Sequence, residues 1–389
     1  MLCVVQSMKS CCFARLPTYD DRIVSTVINP TLKQTPLFEE HVKLGAKMIG
    51  FGGWNMPVFY SSILDEHQAV RTCVGIFDIS HMGQLEVSGP LASRWLNILL
   101  TNNVDKLAVG EGQYTFLLNQ QGGVIDDLIV YRRRENSFFL VINAAKIDED
   151  VTWMERRIAA DVTLVNQSAV YAALAIQGPK SPEVLSHFGE LPSRNHLREL
   201  IIDEVPALVA RTGYTGEDGF ELFFPATAAV EIWNRLLELG KLLEIRPCGL
   251  GTRDTLRMEV CYSLNGFDLS PERTPIEAGL SFFVDFQKPN FVGREILAAQ
   301  KEAGLKQKLV AIRALEKCPP LRAHYPVFAN DQQIGELTSG TQSPSLGVGI
   351  GLGYLDVAFA KPGQNVEIDI RGKKFPATVE KKPLYKKPC

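Results

Sequence analysis

The sequence predicts an α+β fold followed by a separate all-β domain. Three observations carry this. Strand-like and helix-like runs alternate through most of the chain instead of grouping into one class. Beyond about residue 305 the texture changes to short strands broken by Gly, Pro and Ser turns. A chain of 389 residues with 46% hydrophobic content can bury several cores, which suggests two or three domains.

Residues 1–34 stand apart from this pattern. The first nineteen contain Lys9 and Arg15 but no acid, which fits a transit peptide and fits equally an over-extended start upstream of Met8. The segment is set aside as an extension, disordered or processed. The organised chain is expected to begin at "TPLFEEHVKLGAKMIGFGGWNMPVFY", where Thr35 can cap a short helix starting at Pro36. Downstream, "SRWLNILLTNNV" and "VEIWNRLLELGKLL" carry helical spacing of apolar residues, whereas "QYTFLLN", "VIDDLIVYRR", "FFLVIN", "AALAIQG" and "GFELFFP" read as strands. The C-terminal runs "KLVAIRAL", "YPVFAND", "QIGELTSG", "VGIGLGYLD", "NVEIDIRG" and "KKFPATVEK" make the all-β domain.

Composition excludes several classes of function. A net charge of -3, from 41 basic and 44 acidic residues, gives no support to a general nucleic-acid binder. No apolar stretch reaches the length of a membrane-spanning helix, so a soluble protein is expected. The eight cysteines contain no C-x-x-C pair and no framework spacing, which reads as reduced thiols. The six histidines offer no H-x-H or H-E-x-x-H, so no metal is expected. "GLG" at 249–251 does not follow a strand and is not G-x-G-x-x-G, so a dinucleotide site gains nothing from it.

The run "GGVIDDLIV", residues 122–130, is apolar except for Asp126 and Asp127. By strand alternation Asp127 shares a face with Ile125, Ile129 and Tyr131, and Asp126 shares the other with Val124, Leu128 and Val130. An unpaired carboxylate on either face is costly and tends to take up a proton, so at least one needs a partner or a wet cavity. The alternative is a strand end, with one Asp in solvent and the other capping a turn, and the two readings stay open at this point. "LIVYRRRENSFFLVIN" reads as a hairpin. With its turn centred on Glu135, Asp127 lies opposite Asn143, and a slip of one residue exchanges Asp127 for Asp126. Two further segments stand out. "RTGYTGEDGFELFF" makes a tight turn and places Glu221 in the following strand, and "CGLGTRDTLRMEV" puts Arg253 and Arg257 four residues apart on one helix face. Taken singly, each is more often a solvated surface feature than a site.

"FGGWNMPVFY", "EHQAVRTCVGIFDISHMG", "GQYTFLLNQQGGVIDDLIVYR", "RTGYTGEDGFEL", "GLGTRDTLRMEVCYSLNGFDL", "TPIEAGL" and "TSGTQSPSLG" together resemble the aminomethyltransferases of the glycine cleavage system, the T-proteins, in order from about Thr35 to Tyr385. The resemblance implies a three-domain, cloverleaf-like folate-binding fold. Residues 35–300 would form two intertwined α+β subdomains and residues 301–389 a C-terminal β-barrel. It implies transfer of an aminomethyl group from the lipoyl arm of H-protein to tetrahydrofolate, the co-substrate, with release of ammonia and 5,10-methylenetetrahydrofolate. P-protein and L-protein of the same system are implied as further partners. By motif, Asp127 falls on the family's catalytic acid, and Tyr114, Asn143, Tyr214, Glu221 and Arg253 fall on folate-contacting positions. Related chains often end in P-F-Y-R where this one has "KPLYKK", so Lys386 takes the place of an arginine and loses its bidentate fork. The competing reading is a folate-binding relative that assists iron-sulfur assembly or modifies tRNA. The expected compartment is a bacterial cytoplasm, with a mitochondrial matrix as the alternative. Seven basic residues against one acid between Arg371 and Cys389 suggest a rim that attracts an acidic carrier.

Overall fold

The computed structural model describes residue 29 and residues 31–387. Calls on the first 28 residues therefore lie outside the described part. Residues just before Thr35 are already organised, however. Lys33–Gln34 pairs in parallel with Trp54–Phe59, which pairs on its other side with Lys47–Phe51. Asn29 and Asn55 exchange two hydrogen bonds, at 3.2 and 2.9 Å. The expected start at Thr35 thus moves upstream. Thr35 also does not cap the first helix, which spans Phe38–Lys43 and has Leu37 at its N-cap without a side-chain bond.

Three larger units follow. A six-stranded sheet runs in the order Leu197–Ile202, Val205–Ala210, Gly219–Pro225, Tyr171–Gln177, Gly75–Asp78 and Arg246–Pro247. The amphipathic helix Ala229–Leu239 covers one face, burying Trp233 against Ile176, Phe220 and Phe224. A five-stranded sheet runs Gly112–Leu118, Val124–Arg134, Ser137–Ile142, Gly83–Ser88 and Thr163–Asn166. Helices Ala92–Leu99 and Ile147–Glu155 pack on it through Trp95, Leu96, Ile147 and Met154. The third unit is a closed barrel of Gln307–Ala314, Gly349–Asp356, Gln332–Gln342, Pro326–Ala329, Asn365–Ile370 and Lys373–Glu380. Closure leaves this unit without a free sheet edge. Alternation in "KLVAIRAL" does what the pattern predicts: Val310 and Ile312 fill the barrel, while Leu309 and Ala311 pack outward onto the rest of the chain.

The two open sheets face each other through Tyr131, Phe139 and Phe223, with Phe139 and Phe223 rings 5.1 Å apart, edge to face. The barrel meets the five-stranded sheet at Phe116, Leu118 and Val124. Helix Leu250–Glu259 lies where all three units converge. Its Leu256 joins the inter-sheet core, its Met258 the barrel-side core, and its Arg257 donates to Ser339 of the barrel. Glycine opens this helix for steric reasons, since a Cβ on Gly249 would stand 2.2 Å from the Val58 carbonyl oxygen. Among the described residues no helix is long and apolar enough to cross a membrane.

Candidate active site

The hairpin holding the two aspartates has the register expected from its sequence, with Ile129 opposite Val141 and Tyr131 opposite Phe139, turning at Glu135 and Asn136. Its alternation is broken at Ile125. The pairing with Gly112–Leu118 shifts between Leu117 and Leu118, and this bulge turns Ile125 into the same core as Leu128 and Val130. Ile125 is therefore not on the Asp127 face, as strict alternation had it. Beside the bulge the chain must be glycine at Gly123, where a Cβ would stand 1.8 Å from the Pro271 carbonyl oxygen.

Neither aspartate is exposed as at a strand end. Asp126 is fully buried and Asp127 half-buried. Asn143, just past the end of Ser137–Ile142, engages both. Its backbone N–H donates to Asp126 Oδ2 at 3.0 Å, and its side-chain amide donates to Asp126 Oδ1 at 2.8 Å and to Asp127 Oδ1 at 3.1 Å. The opposite oxygen of Asp127 accepts from the Tyr114 hydroxyl at 2.7 Å. Burial first, and then the charge of Asp126, push the Asp127 carboxyl up to about 7. A carboxyl so placed can both give and accept a proton at neutral pH.

The Tyr114 ring is fixed edge-on between Phe116, at 5.1 Å, and Phe283, at 4.8 Å. Glu221 is buried in the six-stranded sheet, where its cross-strand neighbours are Ala175 and Ala210. Two methyl groups there leave room beside its carboxylate, whose Oε2 accepts from Thr212 at 2.6 Å. Tyr214 donates its hydroxyl to the Ser263 carbonyl and lies under the Arg253 guanidinium, 4.8 Å from the ring centre. Burial lowers Arg253 from the usual guanidinium value, opposed by the nearby Glu221.

Arg253 and Arg257 do not act as a pair. Arg257 is buried in a scaffold with Asp268, at 2.8 Å, and Asp254, at 2.8 Å. Among the described residues Arg253 forms no ion pair, so its charge is available. Lys386 lies on the barrel side, lining a cavity of about 310 Å³ with Arg313, Glu380 and Lys381, while the neighbouring Lys387 pairs with Glu217 at 2.8 Å. Sequence reasoning missed Thr212, Phe283 and Asp150. Asp150 left a signal, because it lies on the apolar stripe of its helix with Ile147 and Met154.

The GCVT N-terminal domain family matches residues 37–288, and the glycine cleavage T-protein C-terminal barrel domain family matches residues 307–386. An aminomethyltransferase of Bacillus cytotoxicus is 46% identical over 363 residues, covering 92% of this chain and 99% of its own. One from Bacillus cereus is 46% identical over 366 residues with the same coverage. The crystal structure of glycine cleavage system aminomethyltransferase T from Bartonella henselae matches with a TM-score of 0.86 at 34% identity, over 92% of this chain and 99% of that one. The chain belongs to the aminomethyltransferase, or glycine cleavage T-protein, family.

Proposed function

We propose that Asp127 is the acid–base group of this aminomethyltransferase, and that Tyr114, Asn143, Tyr214, Glu221 and Arg253 form the seat of its tetrahydrofolate. The observation that carries this reading is a half-buried carboxyl poised near neutrality and oriented from two sides, by Tyr114 and Asn143.

The proton balance of the reaction calls for such a group. The donor carbon is bonded to the sulfur of the lipoyl arm and to the amino nitrogen. Departure of the thiolate leaves an iminium carbon, which the folate amines attack in turn to close the methylene bridge as ammonia leaves. Two N–H protons leave the folate, and one ends on ammonia and the other on the thiol. Asp127 takes up and returns a proton while its two hydrogen-bond partners hold it in one rotamer. Glu221 offers a carboxylate oxygen to the amino and ring N–H groups of a pterin. Asn143 has its amide N–H groups committed to the aspartates, so only its carbonyl oxygen remains for the folate. Arg253 supplies an unpaired cation for a carboxylate of the folate tail, and Lys386 with Lys381 and Arg313 supplies a second, weaker one.

The partners in this reading are lipoylated H-protein as donor and tetrahydrofolate as acceptor, with P-protein and L-protein acting on the same carrier. The bacterial relatives support a bacterial cytoplasm over a mitochondrial matrix. They also disfavour a role in iron-sulfur assembly or tRNA modification, since at this identity they carry the aminomethyltransferase name. The test is formation of methylenetetrahydrofolate from aminomethyl-loaded H-protein, tetrahydrofolate and this chain. Product that forms at the same rate with Asp127→Asn would remove Asp127 from the chemistry.

A further inference from the structure

Behind the proposed catalytic aspartate lies a third carboxyl that the reaction does not use. Asp150 is fully buried in the first turns of helix Ile147–Glu155, on the face that carries Ile147 and Met154 into the core shared with Leu128 and Val130. Neither of its oxygens accepts from any N–H or hydroxyl among the described residues. The group it faces is the carboxyl of Asp126, on the strand that sends Leu128 and Val130 into the same core.

Two facing carboxyls in a dry core cannot both stay ionised, because their like charges repel and neither anion can donate to the other. One proton must sit between them. The surroundings decide which partner holds it. Asp126 already accepts from the Asn143 N–H at 3.0 Å and from its side-chain amide at 2.8 Å, and both bonds favour the anion. Asp150 has no such donor, so the proton belongs to Asp150, from where it can be offered to Asp126. Burial and the adjacent Asp126 charge push Asp150 up to about 11, in the same direction.

We infer that Asp150 is a permanently protonated positioning residue, which keeps Asp126 ionised beside Asp127 and thereby sets where Asp127 exchanges its proton. This rests on the reading of Asp127 as the acid–base group. The charged and titratable groups facing the cluster are few. Glu149 and Lys146 flank Asp150 and pair with each other at 2.8 Å, Tyr114 faces both Asp126 and Asp127, and Tyr214 faces Asp127. Lys146 is committed to Glu149, and among the described residues no donor reaches either oxygen of Asp150.

Infrared spectroscopy of the whole chain at pH 9 tests the proton directly, without any activity measurement. Ordinary carboxyls are ionised there, so the inference expects one protonated-carboxyl stretch per chain, absent from Asp150→Asn. The kinetic arm uses two variants. Asp150→Asn keeps a donor to Asp126, and its acidic limb of activity against pH should stay within about 0.3 unit of the parent. Asp150→Leu removes the donor, so Asp126 takes up a proton, its charge beside Asp127 is lost, and the limb should fall by about one unit. A merely structural role would lower activity without moving the limb. Absence of the infrared band, or its survival in Asp150→Asn, would overturn the inference. A limb that stays in place in a folded Asp150→Leu would do so as well. Full activity in Asp127→Asn would instead sink the acid–base reading while leaving the infrared result standing.

Discussion

Tyr114 donates its hydroxyl to Asp127 Oδ2 at 2.7 Å from a diagonal position on the neighbouring strand, where Tyr114 itself faces Ile129 and Asp127 faces Phe116. A diagonal pair is within reach only of a long side chain. The hydroxyl stabilises the ionised form and so moderates the upward shift that burial imposes. Tyr114→Phe should therefore raise the acidic limb of turnover by up to about one pH unit and lower the plateau by roughly tenfold or less. A pH profile of the variant decides this, and a limb moving downward would contradict the geometry.

Asp127→Asn should keep the fold and reduce turnover by roughly 10² to 10⁴. Its effect on stability has a definite sign. The folded value near 7 lies above the unfolded value of about 3.9, so the folded state binds the extra proton. That contribution is present in full below about pH 4 and is lost as pH rises through about 7. The neutral amide escapes this loss. Melting curves should show Asp127→Asn gaining a few degrees over the parent at pH 8 and little at pH 5.

Asp126→Asn is the more damaging change to the fold. From the sequence it ranks below Asp127, because nothing there shows that Asn143 aims two donors at it. An amide in its place turns one N–H toward those donors, and a buried clash of this kind costs about 1 to 3 kcal/mol. Urea denaturation should show a lower midpoint for Asp126→Asn than for Asp127→Asn.

Starting the chain at Thr35 should lower Tm by several degrees relative to a chain starting at Asn29. The shorter chain loses the Lys33–Gln34 strand and both hydrogen bonds between Asn29 and Asn55, each bond contributing about 1 kcal/mol. Equal melting temperatures would show that this edge adds nothing.

The basic C-terminal segment is divided by the fold. Lys374 is held by Asp331 at 2.6 Å and Lys387 by Glu217 at 2.8 Å, whereas Lys373 and Lys381 form no ion pair among the described residues. Reversing Lys373, which lies outside the Lys386 cavity, to Glu should raise the Michaelis constant for H-protein at low salt and leave that for tetrahydrofolate unchanged. The two proteins should converge at high salt as screening takes over. An unchanged carrier dependence at low salt would reduce this lysine to protection of the barrel surface.

Much of this was legible because the site is built on a hairpin. Period-two alternation and a short turn locate Asp127 near Asn143 with no knowledge of the fold, and the observed register agrees. Alternation failed at Ile125, where a bulge lies beside the close approach of Pro271 to Gly123, a contact from far along the chain that no local pattern encodes. Arg253 and Arg257 share a helix face in projection, yet long-range partners divide them, Tyr214 taking one and Asp268 the other. Asp150 shares the apolar stripe of its helix, but its place in the first turn masks that signal. An acid in the first turn of a helix satisfies the helix dipole and invites no further question. Only the packing of that helix onto the sheet shows that the acid faces another.

The most direct measurement is the rate of methylenetetrahydrofolate formation from aminomethyl-loaded H-protein as a function of pH, compared between the parent chain and Asp127→Asn. The account predicts an acidic limb near pH 7 in the parent, and a residual, pH-independent rate at least about a hundredfold lower in the variant. A variant that retains both the limb and the rate would contradict it.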